Sequence, residues 1–469
     1  MTLDRRHFIA GIAGSAALAG CATSPSGSGA PSVAGLQAAP MPAFIGQSTQ
    51  KLMPKGKAPR VVICGGGWGG LTTAANLRKL APQVEVVLID RNPNFFSSPL
   101  SNMWLVGMLD GELLSQDYQR ASQQLGWHFV QAEVEGVDRA QRRVTTSIGT
   151  LDYDWLVLAP GIRYNYEAWF GNDRRAADAA RQRFPSAYAS NSEFLTIKRS
   201  LQAFKGGELV MTLPPPPQRC PPSPYERACL IGWYLKTNKI KGHVTILDHK
   251  PGITPIGPGY KAAFEQLYKD YITYVPNAHV QEVDPFNKRI RTAAGDQKFD
   301  HAILMAPHQA GDLAWLAGTV GANSNGWAEV DQLTMQVAGD ERAFVIGDAI
   351  QAVSSLPFRY YPKSAHIANR LGRIVAYQIT ERMAGRTPEK RLPDNLCYMV
   401  VNGSPGEALN VQFDYDFDAE GRVRQVQRDF NERTVSLYKD DFRWADFMFT
   451  ELFGGIAPPV LPYPQYRAA

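Results

Sequence analysis

The stretch VVICGGGWGG at residues 61–70 constrains the fold of this chain more than any other. A short apolar run enters a turn of glycines at Gly65, Gly67 and Gly70, and a helical pattern follows over 71–80. A second apolar run, 84–90, ends in Asp90 about twenty residues on. Strand, glycine turn, helix, strand and terminal acid predict a βαβ unit that binds a dinucleotide. Gly65 permits the tight turn, Gly67 lets a pyrophosphate approach the backbone, and Gly70 lets helix and strand pack closely. Amides at the helix N-terminus hold the phosphates, and Asp90 accepts from a ribose hydroxyl.

The runs ELVMTL (208–213) and HVTILD (243–248) predict the first two strands of a second such unit, with a helix over 224–236 between them. Its turn should also be glycine-rich. Instead residues 214–228 read PPPPQRCPPSPYERA. Proline has no N–H, so this loop is poor in the amides that nicotinamide phosphates need. One dinucleotide site is kept and the other is rebuilt around Cys220. The stretch YDWLVLAP (153–160) recurs as FDHAILMAP (299–307), two buried strands expected at crossings between the domains. Residues 344–349, FVIGDA, form a strand ending in Gly347-Asp348. In two-dinucleotide-domain flavoproteins such an aspartate binds the ribityl chain of FAD, and the helix expected over 363–380 points its N-terminal dipole at the flavin. The cofactor contacts expected are Gly65, Gly67, Gly70, Asp90, Arg91, Val134, Ala159, Gly161, Gly347, Asp348 and Lys363.

A chain of 469 residues is too long for one core. The fold class expected is α/β, with two Rossmann-like dinucleotide-binding domains and a small C-terminal α+β interface domain. The FAD-binding domain takes residues 60–165 and 306–385, the second Rossmann-like domain 166–305, and the C-terminal domain 386–469. In the last, 410–418 alternates as an edge or hairpin strand does, and aromatic-rich 443–453 suits dimer or partner contact rather than cofactor. The formal charge of +5 is spread without a basic run, so nucleic-acid binding is not expected. Five cysteines are too few for a disulfide framework. No CxxCH and no Cys/His cluster of metal-ligand spacing occurs, so neither a covalent haem nor a metal is expected on this chain. Cys64 reads as an apolar filler, and Cys229 and Cys397 as structural.

Arg5-Arg6-His7-Phe8-Ile9 reads as a twin-arginine export signal followed by a short apolar stretch. Leu18-Ala19-Gly20-Cys21 resembles a lipobox that closes the signal segment, residues 1–21, and Cys21 would then be the lipidated first residue of the mature protein; the alternative is ordinary cleavage nearby without a lipid. Residues 22–58, rich in Ser, Gly, Ala and Pro, read as a flexible tether. The expected location is periplasmic, with a possible membrane anchor.

Taken together, VVICGGGWGG (61–70), NPNFFSSPLSN (92–102), YDWLVLAPGI (153–162), QRCPPSPYERA (218–228), VIGDA (345–349), PKSAHIANRLG (362–372) and FRWADFMFTELFG (442–454) carry a resemblance. The chain resembles the flavoprotein subunit of flavocytochrome c sulfide dehydrogenase, a relative of the sulfide:quinone oxidoreductases, over roughly residues 60 to 460. The resemblance implies oxidation of sulfide or a small sulfur compound through FAD, with electrons passed to a c-type cytochrome subunit whose haem is on a separate chain. It also implies a redox-active cysteine pair beside the flavin. Cys220 falls on its first member, and Arg219 is expected to lower its pKa. The second member should directly follow Gly-Asp-Ala, where Ile350 stands. Ser98 stands where some members link a cysteine to the flavin, so non-covalent FAD is expected.

Bland readings stand beside these. Cys220 is either a working thiol or a remnant in a loop that fills the nicotinamide cleft. His366 is either an acid or base near the flavin, or an exposed or capping residue. Trp68 either lies over the FAD or packs on the domain surface. Ile350 also favours two alternatives to sulfide oxidation: a flavoprotein of the same fold with a changed substrate, or a non-catalytic electron-transfer role. An NAD(P)H reductase is the least favoured reading, and a membrane quinone is an alternative acceptor.

Overall fold

The computed structural model describes residues 50–351, 355, 356 and 359–456. The export signal, Cys21 and the tether up to residue 49 lie outside the described residues. The tether expected up to residue 58 is docked from residue 50 onward. Leu52 N–H donates to Thr150 O (3.0 Å) and Thr150 N–H to Gln50 O (2.9 Å). The fully buried Arg60 guanidinium binds the Met53 and Pro54 carbonyls and Glu85.

The glycine turn joins β1 (Arg60–Cys64) to α1 (Trp68–Leu80), which returns to β2 (Glu85–Asp90). With β3 (His128–Gln131) and β4 (Trp155–Leu158) these build a parallel sheet. Residues 61–64 and 86–89 are buried throughout, as strands covered on both faces must be. Next come β5 (Gly207–Leu213), α2 (Ser223–Thr237), β6 (Gly242–Asp248), β7 (Ile272–Val275) and β8 (His301–Leu304), which form a second parallel sheet in the order β7-β6-β5-β8. The chain then returns as β9 (Ala343–Val345), which completes the first sheet in the order β9-β4-β1-β2-β3, and runs on into α3 (Ala365–Met383). The two look-alike stretches occupy equivalent places: β4 and β8 each follow a three-stranded antiparallel meander, at 134–152 and 280–298. Just beyond them, Ile162–Tyr164 and His308–Ala310 pair with each other. This is a mixed α/β fold with two dinucleotide-binding-type sheets.

The C-terminal segment forms β10 (Asn395–Gly403), β11 (Gly406–Phe417), β12 (Val423–Thr434) and α4 (Val435–Phe453). The alternation over 410–417 belongs to β11, a hairpin strand as one of the two expectations had it, but the central one, paired on both sides, and not an edge. Its residues 408–411 are all buried, covered by the helices packed on the sheet. The aromatic stretch is also not set apart from the cofactor region. Phe449 of α4 packs edge-on against Trp68 of the glycine turn, with centroids 5.6 Å apart. Glu451 is gripped by Arg373 (2.6 Å), Asn369 (2.7 Å) and Asn76 (3.1 Å), which fastens α4 onto α1 and α3.

Candidate active site

A cleft runs along the C-terminal ends of the first sheet, where parallel α/β sheets bind ligands. Its lining includes Gly65, Gly67, Asp90, Arg91, Val134, Ala159, Gly161, Gly347 and Asp348, so nine of the expected cofactor contacts converge there. Gly70 lies beneath it. A Cβ on Gly70 would stand 1.9 Å from Gly65 O, and Gly65 has φ +106° and lies against Ala159 O. A Cβ on Gly67 would meet nothing within 4 Å, so open space lies over the N-terminus of α1. No acidic residue occupies the first turn of that helix. Asp90 accepts from the Gly66 N–H (2.7 Å) and the Asn92 N–H (2.8 Å), which ties the acid to the turn it faces. The exposed Arg91 pairs with Glu133 at the rim.

These residues fit FAD. The space over Gly67 and the uncompensated helix N-terminus suit a pyrophosphate. Asp348 Oδ1 is buried without a hydrogen-bond partner among the described residues, an acceptor placed for a ribityl hydroxyl. Ser98 also lines the cleft, and a hydroxyl there forms no thioether.

Lys363 lies behind the cleft rather than in its lining. It is buried, with Nζ donating to the carbonyls of Asp348 (2.9 Å) and Ile350 (2.7 Å) and lying 3.8 Å from the Trp327 ring centroid. Burial lowers its pKa to about 7. It therefore holds the 348–350 backbone in shape, a role its charge alone did not suggest. Trp68 lines the cleft but is wedged between Phe95 and Phe449, so it does not lie over the cofactor as a free ring. His366 is neither exposed nor a cap; Ser364 caps α3. The His366 Nδ1 accepts from Trp444 Nε1–H (2.9 Å), which leaves Nε2–H to donate to Asp394 (3.0 Å). Burial lowers its pKa, so it stays a neutral clamp between α3 and α4.

The proline loop forms the wall beside this cleft. Arg219 Nε pairs with Asp348 Oδ2 (3.0 Å), Nη2 donates to Ser98 Oγ (2.9 Å), and Nη1 donates to Tyr188 O. The loop's own amides are spent on protein. Arg219 N–H donates to His308 Nδ1 (3.0 Å) and Cys220 N–H to Lys363 O (2.7 Å). His308 accepts only as a neutral ring; burial, aided by Arg219 and Lys363, lowers its pKa to about 3.

Cys220 is half-buried with φ +49°, a left-handed conformation costly for any residue with a Cβ. Arg219 does pull its pKa down, but burial outweighs it and pushes the thiol well above the ordinary range. The expected lowering is thus reversed by burial, with Cys397 and Glu226 adding to the rise. Ile350 is buried and its backbone pairs with Ala328. Cys229 is fully buried in α2. Cys397, on β10, lines the same two cavities as Cys220. Sequence spacing gave no signal for that meeting, nor for Glu226, whose buried carboxyl faces both thiols. Burial raises the pKa of Glu226 to about 7, although it accepts from Val400 N–H (2.9 Å) and Asn102 Nδ2–H (2.6 Å).

Known proteins place this architecture. Residues 195–306 match the family described as the sulfide dehydrogenase (flavocytochrome c) flavoprotein chain, central, and residues 59–182 match pyridine nucleotide-disulphide oxidoreductase. A sulfide-quinone reductase of Aquifex aeolicus is 24% identical over 72% of this chain and 79% of its own length. A mitochondrial sulfide:quinone oxidoreductase of Mus musculus is 26% identical over 63% of this chain and 66% of its own. The solved sulfide:quinone oxidoreductase of Aquifex aeolicus shares the fold, with TM-score 0.67 and 20% identity over 88% of this chain and all of that one. Two family models thus match separate segments of this chain, which is homologous to sulfide-quinone reductase and is an FAD-dependent oxidoreductase.

Proposed function

We propose that this chain oxidises sulfide or a small sulfur compound at Cys220 and passes the electrons through FAD to a c-type cytochrome on a separate chain. The observation that carries the reading is the place of Cys220: its neighbour Arg219 is ion-paired to Asp348 in the flavin cleft, and its own side chain lines the cavities behind the wall. FAD, when bound, supplies a two-electron acceptor. Arg219 holds Asp348 and Ser98 in place and offers a positive charge to an incoming hydrosulfide. Glu226, whose pKa of about 7 lies near neutrality, is suited to take a proton from a thiol beside it.

The proline loop argues against a nicotinamide donor, because the amides of Arg219 and Cys220 are already bound to His308 and Lys363. The export motif at residues 5–9 supports periplasmic action, and Cys21 a lipid anchor. The flavocytochrome c family description supports a cytochrome partner. Ile350 favours a second reading, the same flavoprotein with a changed donor. Anaerobic flavin absorbance decides between them. Sulfide is expected to bleach the flavin in the wild type and not in Cys220→Ser, and NADH to bleach neither. A flavin untouched by sulfide overturns the first reading and leaves the second.

A further inference from the structure

We propose that Cys397 is the redox partner of Cys220, a reversible disulfide in place of the pair that Ile350 forbids. The proposal deepens the sulfur chemistry assigned above to Cys220 and rests on that reading.

Cys220 and Cys397 come from distant parts of the chain, yet three short links converge on the N-terminus of α3. Cys220 N–H donates to Lys363 O (2.7 Å), Ser364 Oγ donates to Asn395 Oδ1 (2.6 Å), and Asn395 Nδ2 lies 3.5 Å from Cys397 Sγ. Both side chains line a cavity of about 80 Å³, and both also line a larger, mainly apolar cavity beneath the C-terminal sheet. The small cavity shares Ser98, Arg219, Ser364 and Ala365 with the flavin cleft, so it adjoins that cleft through a common wall. It is the volume of a few water molecules, which suits hydrosulfide. Each cysteine is half-buried and unbridged in the structure. Burial raises both thiols, Cys397 to about 12, and their mutual charge repulsion adds to the rise at Cys220.

Ring closure forms one S–S bond and breaks two S–H bonds. Two protons leave and the electron pair goes to a two-electron oxidant, which bound FAD would supply and which in the test is an added diazenedicarboxamide. With the disulfide formed, hydrosulfide attacks one of its sulfurs. The Cys220–Cys397 bond breaks, a new S–S bond forms to the incoming sulfur, and the other cysteine leaves as a thiolate. No further oxidant enters that exchange.

The test uses the purified FAD-loaded chain and is read by mass, not turnover. The protein is treated with diamide, quenched with iodoacetamide in denaturant, and mapped by peptide mass spectrometry. The expected result is a Cys220–Cys397 crosslinked peptide two hydrogens lighter than the reduced pair, reversed by dithiothreitol. It persists in Cys229→Ser and is absent from Cys397→Ser. Full alkylation of Cys397 after oxidation, or a bridge from Cys220 to Cys229, overturns the proposal. The wild-type map needs no variant to fold. The two readings fail separately: a bridge without bleaching by sulfide keeps the pair and removes the substrate. Bleaching by sulfide that persists unchanged in Cys397→Ser, with no bridge in the wild type, keeps the substrate and removes the pair.

Discussion

The two βα turns of this chain start from the same geometry and end in opposite chemistry. Each follows a buried parallel strand, β1 or β5, and each opens a helix of thirteen or fifteen residues. At the first turn the space over Gly67 is open and the first helical turn carries no acid. At the second, Arg219 and Cys220 amides are bound to the protein, and Glu226 sits in the first turn of α2. A helix N-terminus attracts negative charge in either case. The first leaves it for a ligand phosphate, and the second carries its own carboxyl. The difference teaches that a dinucleotide fold loses a site by satisfying its own amides and dipole from within. The freed loop then becomes a wall of the neighbouring site.

The largest effect expected from breaking this comparison is at Gly70. Gly70→Ala drives a Cβ to 1.9 Å from Gly65 O. Overpacking against backbone costs about 1–3 kcal/mol, and as the turn relaxes by moving its amides off the phosphates that cost falls on flavin affinity, up to about a hundredfold at about 1.4 kcal/mol per tenfold. The purified variant should emerge with much less of the visible absorbance of bound flavin; a variant that retains stoichiometric flavin would show that the first turn is not the one that holds the cofactor.

Glu226 comes next. Its folded pKa, raised by burial to about 7 from 4.5, means that the stabilisation is complete below 4.5 and is lost as pH rises to about 7. At about 1.4 kcal/mol per unit the loss is of order 3 kcal/mol. Gln resembles the protonated acid, so Glu226→Gln should match the wild type in denaturant melts near the acid end of that window and surpass it above neutrality. Parallel pH profiles for the two proteins would mean that Glu226 is solvated like an ordinary carboxylate, and that the second turn does not carry a buried charge in place of a phosphate.

The local half of this comparison was legible in the residues. Gly65, Gly67, Gly70 and Asp90 announce their roles because turn, close approach and terminal acid are set by neighbours within one βαβ unit. Gly347-Asp348 reads differently, from its place after a strand far along from the glycine turn, as in two-dinucleotide-domain flavoproteins. Helix α2 and strands β5 and β6 were also visible from their apolar runs. What the sequence hid is set by contacts across the chain. Lys363 reads as a cofactor cation, yet burial and two carbonyls make it a backbone brace. Residues 50–58 read as tether by composition, yet Arg60 ties them down through main-chain carbonyls, which any sequence supplies. Cys397 reads as structural because nothing in a β-strand's pattern tells which loop will cross its face. The thiol of Cys220 reads as activated by Arg219 until its burial, which outweighs that charge, is known.

The smallest expected effect tests whether the wall truly serves the cleft. Arg219→Lys keeps the positive charge but loses the planar fork, which now engages Asp348, Ser98 and Tyr188 together. One ammonium can keep Asp348 only by releasing Ser98 or the Tyr188 carbonyl, at about 1 kcal/mol for the lost bond. Flavin affinity, followed by fluorescence on titrating FAD into the stripped protein, should then weaken by roughly fivefold to tenfold. The fold should remain, since Lys retains the ion pair that would otherwise leave Asp348 buried and alone. Unchanged affinity would mean that Asp348 is held by the β9 backbone and Lys363 alone. The proline loop would then be a filled cleft that merely borders the flavin site, and the two turns would be independent in function as well as in chemistry.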